Sequence, residues 1–467
     1  MKQKNKTRNQ LELFDRYGRK LNHEESCSTG NGHGIAVDFL SQLREQQNST
    51  TTLLTKIMDY GNLRTSITTV RQNKGASGVD GWSIAETEQW LSLHYKEFIE
   101  TVKAGKYKVS DVRLVEIPKP DGGLRALGIP TVLDRILQQA IHQQLAPLYD
   151  RHFSESSYGF RKGRDAHQAI EGASEYIKAG NEWVVDLDLE KYFDTIPHNR
   201  LMQRLSKGIG DKVLLKLIHQ YLTAGMMKDG LISQRTSGSP QGGPLSPLLS
   251  NIVLDELDKE LENRGHKFCR YADDCNIFVK SKKSGERVME SIIRYIETEL
   301  KLKVNRSKSG VRHCSKVKFL GYTISQEGKI RISDQSIERL KKKVIDTTKR
   351  NRGVKFSKII EELNLLIQGY GVYYKMANHW LSNLREIDGW IRRRLRCYRL
   401  KQCGRTYTVV KFLQSLNIPV NKSWNVVYWS NKSWWALSSD KTVNKAMSNK
   451  WFNELGLRSL LVTIERY

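Results

Sequence analysis

Two short acidic runs beside apolar, strand-like segments are the residues best suited to chemistry. The first is Val185-Asp186-Leu187-Asp188-Leu189-Glu190-Lys191-Tyr192-Phe193-Asp194. The second is Tyr271-Ala272-Asp273-Asp274, framed by Phe268 and by Ile277-Phe278-Val279. Carboxylates beside buried strands are costly unless paired or bound to a cation. Brought together from distant positions, these two runs would offer hard oxygen ligands suited to Mg²⁺. Two ions held in that way stabilise both the attacking and the leaving oxygen of an in-line phosphoryl displacement. An Asp-Asp pair alone is more often a plain turn; its place between two apolar runs is what points to a site.

Two further segments carry less specific signals. Ser239-Pro240-Gln241-Gly242-Gly243-Pro244 combines glycines, which allow close backbone approach to a ligand, with prolines that fix the turn. Its plain reading is a rigid loop leading into an apolar helix over Leu248–Leu257. Residues 117–130 read as a hairpin turning at Asp121-Gly122-Gly123, with Lys119 and Arg125 flanking the tip. Two such cations could grip a triphosphate, the arginine in bidentate fashion. Taken in isolation, a solvated basic hairpin is the simpler reading.

The elements that must position these residues follow from periodicity and charge. Strand-like runs are predicted at 113–117, 183–187 and 275–279. Between Glu338 and Arg405 the apolar residues recur at helical spacing: Ile337, Leu340, Val344 and Ile345, then Ile359, Ile360, Leu363, Leu366, Ile367 and Tyr370, then Trp380, Leu384, Ile387, Ile391 and Leu395. The same 68 residues hold 18 Lys+Arg against 6 Asp+Glu, a net +12 of the chain's +27. Three basic amphipathic helices make a clamp for a nucleic-acid backbone, and the overall charge favours a polyanion partner. Residues 1–50, with 8 Lys+Arg against 6 Asp+Glu, are polar and without periodicity, so a flexible leader is expected. The tail after Gly404 holds five of the ten tryptophans, at 424, 429, 434, 435 and 451, a composition suited to stacking on bases or to a core.

Composition excludes other classes. No apolar run approaches the ~18 residues that span a bilayer, and no apolar stretch follows the charged N-terminus, so neither a membrane nor a secreted protein is expected. The six cysteines form no Cys-x-x-Cys pair, which indicates neither a disulfide framework nor a zinc site; a cytoplasmic location fits.

The four chemical segments, in this order and spacing, resemble the group II intron-encoded reverse transcriptases/maturases. Supporting matches are Gly75–Gly81, Tyr158-Gly159-Phe160-Arg161-Lys162-Gly163, Lys303–Ser309, Phe319-Leu320-Gly321-Tyr322 and Gly369–Tyr374. The chain is most similar to the compact bacterial class C proteins, which lack a C-terminal zinc-containing endonuclease domain. The resemblance implies an α+β right-hand polymerase. After the leader, residues 51–325 would form the fingers and a palm with an antiparallel sheet. Residues 326–403 would form the helical thumb, or maturase X region, and 404–467 a small DNA-binding segment.

Roles carried over by that resemblance are specific. Asp188, Asp273 and Asp274 would be the catalytic carboxylates holding two Mg²⁺, with Mn²⁺ as a substitute. Asp188 is favoured over Asp186 because it lies six residues before Asp194 in the Asp-x-x-x-x-Phe-Asp pattern. Lys119 and Arg125 would hold the dNTP triphosphate and Gln241 would line the nucleotide pocket. Phe193 would exclude a 2′-hydroxyl, and Lys308 would sit near the leaving pyrophosphate. Phe319, Leu320, Gly321 and Tyr322 would form the primer grip, while Lys341, Lys342, Lys343, Arg392, Arg393 and Arg394 would contact nucleic-acid backbone. The implied partners are group II intron RNA, an RNA template, a DNA primer and target, and dNTPs. Two rivals stand beside the mobile-intron polymerase: a splicing cofactor with a vestigial polymerase site, and a domesticated reverse transcriptase in phage defence or beside a CRISPR system without an intron.

Overall fold

The computed structural model describes residues 52–118, 123–228, 231–377, 381–428 and 433–466. The leader 1–50, Lys119, the Asp121-Gly122 step of the first hairpin, Trp380 and Trp429 lie outside the described residues.

Local signals start the N-terminal helices. Asp59 caps α1 (Tyr60–Gln72) by accepting from the Gly61 and Asn62 amides, and a reciprocal Ser83–Glu86 capping box opens α2 (Ile84–Lys103). Strands β1 (Val112–Pro118) and β2 (Leu124–Ile129) pair antiparallel, from Arg113 opposite Ile129 to Pro118 opposite Leu124. A second hairpin, β4 (Met226–Lys228) with β5 (Leu231–Ser233), adds on through a parallel β1–β4 contact, giving the order β2-β1-β4-β5. Helix α3 (Val132–Asp150) follows, with buried Asp134 accepting from Thr131, Tyr107 and Tyr221 and from the Ser110 amide.

The second sheet carries both acidic runs. Its order is β6-β7-β3-β8, all antiparallel: β6 (Lys267–Tyr271), β7 (Asp274–Val279), β3 (Trp183–Leu187) and β8 (Gly310–His313). Helices α4 (Ala166–Lys178), α5 (Ser246–Asn263) and α6 (Lys282–Thr298) pack against it. The predicted apolar helix at 248–257 is thus longer at both ends, because Ser246-Pro247 suits its first turn. Val185, Leu187, Ile252, Leu254 and Ile277 belong to one core with α3.

Beyond the small hairpin β9 (Tyr322–Ile324) and β10 (Ile330–Ile332), three helices appear where the apolar spacing places them: α7 (Asp334–Thr347), α8 (Phe356–Tyr373) and α9 (Leu381–Cys403). Their stripes Ile337/Leu340/Val344, Ile359/Leu363/Ile367 and Leu384/Ile391/Leu395 are buried, whereas Ile345 of the expected first stripe is exposed. Six short helices between Thr406 and Glu465 complete the described tail. The tail does not form a separate core. Phe452, Leu460 and Ile464 share one with α7, α8, α9 and the outer side of the palm at Ile170 and Phe278. Asp388 of α9 caps the last helix by accepting from the Leu460 and Leu461 amides and the Ser459 hydroxyl. Among the described residues, no helix is long and apolar enough to cross a membrane.

Candidate active site

The two acidic runs meet because β3 and β7 are neighbours, with Asp186 opposite Asn276 and Leu187 opposite Cys275. Tyr271 pairs with Asp274, so Ala272 and Asp273 form a two-residue turn between β6 and β7, with Ala272 in the left-handed region at φ +58°. A fully buried arginine seats this turn. Arg270 donates to the Ala272 carbonyl at 2.9 Å, to Asn251 Oδ1 at 2.9 Å, to Ser157 Oγ at 2.7 Å and to Asp258 Oδ1 at 2.7 Å. Neither Arg270 nor Asp258 has any solvent exposure. Such a pair is sound only when its hydrogen bonds are complete, as the guanidinium's are here. Gly159 lies so close that an added Cβ would come within 2.3 Å of the Ala272 nitrogen.

Asp188 is fixed from the other side. Its amide donates to Ser309 Oγ at 2.9 Å, and its carbonyl accepts from the Asn305 amide at 2.8 Å, which explains the Lys303–Ser309 motif. The neighbouring Asp186 already has a cation: Arg312 Nη1 lies 2.7 Å from its carboxylate. Among the described residues, the Asp188 carboxylate has only Lys308 Nζ for an ion-pair partner, at 3.9 Å. Asp273 is raised by desolvation and by the charge of Asp188, against Arg125 and Arg270. Asp274 is open to solvent on one side, yet the surrounding walls strip hydration from it and Asp273, Asp186 and Asp188 repel its charge, so its carboxyl rises to about 6. Burial first, and repulsion from neighbouring carboxylates second, raise Asp186, Asp273 and Asp274 together, as expected of carboxylates short of nearby positive charge. Among the described residues, no three His, Cys, Asp or Glu side chains already close into a metal cage. The donor set of carboxylate oxygens, without sulfur or imidazole, nonetheless fits a hard divalent ion.

Arg125, Gln241 and Phe193, the residues assigned to the nucleotide by resemblance, are tied together by hydrogen bonds in one neighbourhood. Arg125, on the β1–β2 hairpin, donates from Nε to Gln241 Oε1 at 2.6 Å and faces the charge of Asp273. The Gln241 carbonyl accepts from the Gly128 amide at 3.0 Å, binding the Pro-Gln-Gly-Gly loop to that hairpin. Gly242, at φ +139°, lies against the Gly128 carbonyl where a Cβ would come within 2.5 Å. Phe193 is buried at 9% exposure, and its carbonyl accepts from the Ser239 amide at 2.6 Å.

Asp186, Asp188, Asp274 and Lys308 line a cleft of about 680 Å³, together with Leu320 and Gly321. Phe319 and Tyr322 exchange backbone hydrogen bonds across Leu320 (φ +49°) and Gly321 (φ +85°). Two positive φ angles mark the turn class that matches hairpin twist. Ser336 Oγ and the Ser333 amide hold the Gly321 carbonyl, and the Tyr373 hydroxyl holds that of Leu320. The base of the thumb thereby fixes the turn beside the carboxylates.

The basic helices differ among themselves. Lys342 and Lys343 are exposed and border an about 700 Å³ groove between α7 and α8, and Lys341 is half-buried. Arg392, Arg393 and Arg394 are all half-buried. Arg393 lies 4.1 Å over the Trp435 ring, and Arg394 donates to Thr348 Oγ1 at 3.0 Å. Arg396, pushed down to about 10 by burial, donates to the Met447 carbonyl at 3.0 Å. Much of this arginine run therefore fastens α9 to the tail and to α7. Trp434 and Trp451 pack against the shared core.

Sequence reasoning missed Arg270, Asp258 and Asn251. The available signal was a charged residue inside the apolar run Phe268-Cys269-Arg270, and acids at the buried phase of a helix.

Comparison with known proteins places the chain in a family. Residues 117–324 match the family model "Reverse transcriptase (RNA-dependent DNA polymerase)", and residues 337–414 match "Group II intron, maturase-specific domain". Protein YkfC of Escherichia coli is 32% identical over 305 residues, covering 56% of this chain and 80% of that protein. The group II intron-encoded protein LtrA of Lactococcus lactis is 29% identical, covering 56% of this chain and 55% of LtrA. A putative COX1/OXI3 intron 2 protein of Saccharomyces cerevisiae is 30% identical, covering 62% and 41%. The chain thus spans about half the length of the last two. A solved partial Cas6-RT-Cas1–Cas2 complex aligns over 54% of this chain and 43% of that one at 28% identity, with a TM-score of only 0.35. The chain belongs to the reverse transcriptases, RNA-directed DNA polymerases, that carry a group II intron maturase domain.

Proposed function

We propose that this protein copies RNA into DNA for a mobile group II intron, extending a primer 3′-hydroxyl with dNTPs, and that it binds intron RNA to promote splicing and retrohoming. The observation that carries the reading is the meeting of Asp188, Asp273 and Asp274 beside a cleft, short of positive charge, inside a strongly basic chain.

Asp188 and Asp273, with Asp274 beside them, would hold a pair of divalent ions, Mg²⁺ or Mn²⁺. Bound there, the ions would supply Lewis-acid stabilisation of the attacking and leaving oxygens. Asp186 is the weaker ligand candidate because Arg312 already neutralises it. Arg125, together with Lys119, would orient the triphosphate, and Gln241 keeps Arg125 aimed at the carboxylates. Phe193 would close the floor under the sugar and exclude a 2′-hydroxyl. Lys308 would neutralise charge near the departing pyrophosphate. Phe319–Tyr322 would seat the primer end, while Lys341, Lys342, Lys343 and Arg392 would follow the nucleic-acid backbone. In the tail, exposed Tyr407 and Trp424 suit stacking on target DNA.

The maturase-specific match over 337–414 favours a role with an intron over an intron-free one. Primer extension on an RNA template by the purified chain tests the reading, with dNTPs and Mg²⁺ and with the intron flanking its reading frame added or withheld. We expect cDNA in every reaction containing Mg²⁺, and tighter, slower-dissociating binding to the intron than to unrelated RNA. Absence of cDNA would overturn the polymerase role, and equal binding to both RNAs would overturn the intron role.

A further inference from the structure

Phe160 is out of place by every ordinary criterion. It is a bulky residue in the left-handed region, at φ +59°, and half of it is exposed. Left-handed backbone costs energy for any residue with a Cβ, and glycine or asparagine normally fills such positions. Burial does not compensate, because so much of the ring stays in solvent.

The surroundings hold it there firmly. On its C-terminal side, Arg161 donates to the Asp150 carboxylate and to the Ser154, Ser157 and Asp150 carbonyls at 2.6–2.8 Å. On its N-terminal side, the Gly159 carbonyl accepts from Asn251 Nδ2 at 2.8 Å, and Gly159 abuts Ala272. Asn251 also accepts from Arg270, which seats the Asp273 turn. Phe160 and the catalytic turn are thus registered on one buried platform. A strained residue over-determined by its neighbours is a mark of function. What Phe160 touches from this position is Phe193: the ring centroids are 6.5 Å apart and the planes meet at 80°, an edge-to-face contact.

We infer that Phe160 is a positioning residue for sugar selection, bracing the Phe193 ring edge-on so that its face is set relative to the Asp273 turn. The inference rests on the reading of Phe193 as the residue that excludes a 2′-hydroxyl. Phe160 itself need not touch the nucleotide.

The test compares kcat/KM for a dNTP and its matching NTP in primer extension by the full chain. The variants are Phe160→Gly, Phe160→Tyr, Phe193→Ala and the Phe160→Gly/Phe193→Ala double. Glycine suits the left-handed backbone, so Phe160→Gly should keep the melting temperature while losing the ring. We expect it to lower the dNTP/NTP preference roughly three- to tenfold, the worth of one edge-to-face pair. The change should come through faster NTP use, with the KM for dNTP nearly unchanged. Phe160→Tyr should keep the wild-type preference, and the double variant should match Phe193→Ala alone. A preference unchanged in Phe160→Gly but reduced in Phe193→Ala would overturn the bracing role and spare the gate. Independent, multiplying effects in the double variant would also overturn it. A preference unchanged in Phe193→Ala would overturn the gate reading, and the inference with it.

Discussion

The palm turn and helix α9 are both dense in charge, and the protein treats them in opposite ways. At the turn, Asp273 and Asp274 project from a scaffold whose buried cation, Arg270, is consumed by Asp258, by the Asn251 and Ser157 side chains and by the Ala272 carbonyl. The carboxylates keep their unsatisfied charge. On α9, Arg393, Arg394 and Arg396 are drawn inward, onto Trp435, Thr348 and the Met447 carbonyl. Charge left without an internal partner is available to a ligand; charge already partnered holds the fold. The difference cannot be read from the density of charge, only from its partners.

Breaking the scaffold under the turn should have the largest effect on stability. Arg270→Met strands Asp258 as a buried unpaired carboxylate, and we expect a loss of about 3–5 kcal/mol, read as a lower urea midpoint. A midpoint unchanged from wild type would show that the turn is seated by other contacts. Gly159→Ala leaves that pair intact but pushes on Ala272, and a displacement of this kind should cost roughly 10²-fold in synthesis rate. RNA affinity should stay the same, so an equal loss in both would argue for a general folding defect.

The electrostatics of the turn can be sharpened by pH. The Asp274 carboxyl binds its proton more tightly folded than unfolded, about 6 against 3.8. Its contribution to stability is therefore present at acid pH and is lost as pH rises through about 6. Above that, the ion-free cluster is repulsive, and a divalent ion bound there would relieve it. Mg²⁺ should raise the melting temperature well above pH 6 and progressively less below it; a rise independent of pH would place the ion elsewhere.

The smallest effects test the α9 side of the contrast. Arg393→Ala should cost about 1 kcal/mol of stability through the lost stack on Trp435, with the salt dependence of RNA binding unchanged. Lys342→Gln and Lys343→Gln should do the reverse, lowering the salt slope by about 0.7 to 0.9 per charge without moving the melting temperature. If Arg393→Ala changes the slope as much as the lysine variants do, its guanidinium is shared with RNA.

How far the sequence could be read follows the same line. Strands at 183–187 and 275–279 and the three thumb helices were legible, since each repeats apolar residues at its own period over enough length. Asp188, Asp273 and Asp274 stood out through local framing. Partner choice was not legible. Arg312 reaches Asp186 across 126 positions, and Arg270 finds Ser157 across 113. No periodicity encodes such pairings, because they depend on which strands and helices become neighbours. The tail tryptophans illustrate the other limit. Trp434, Trp435 and Trp451 have the composition of a stacking surface but pack on α9 and the shared core, as only the docking of the short helices reveals.

On this reading, the uncompensated carboxylates serve phosphoryl transfer and are not the means of holding RNA. Single-turnover primer extension by Asp273→Asn, with RNA affinity measured on the same preparation, tests it most directly. We predict a loss in rate on the order of 10³-fold or more, with RNA affinity at the wild-type level and a melting temperature no lower than wild type. Extension at near the wild-type rate, or a loss explained by weakened RNA binding, would contradict the account.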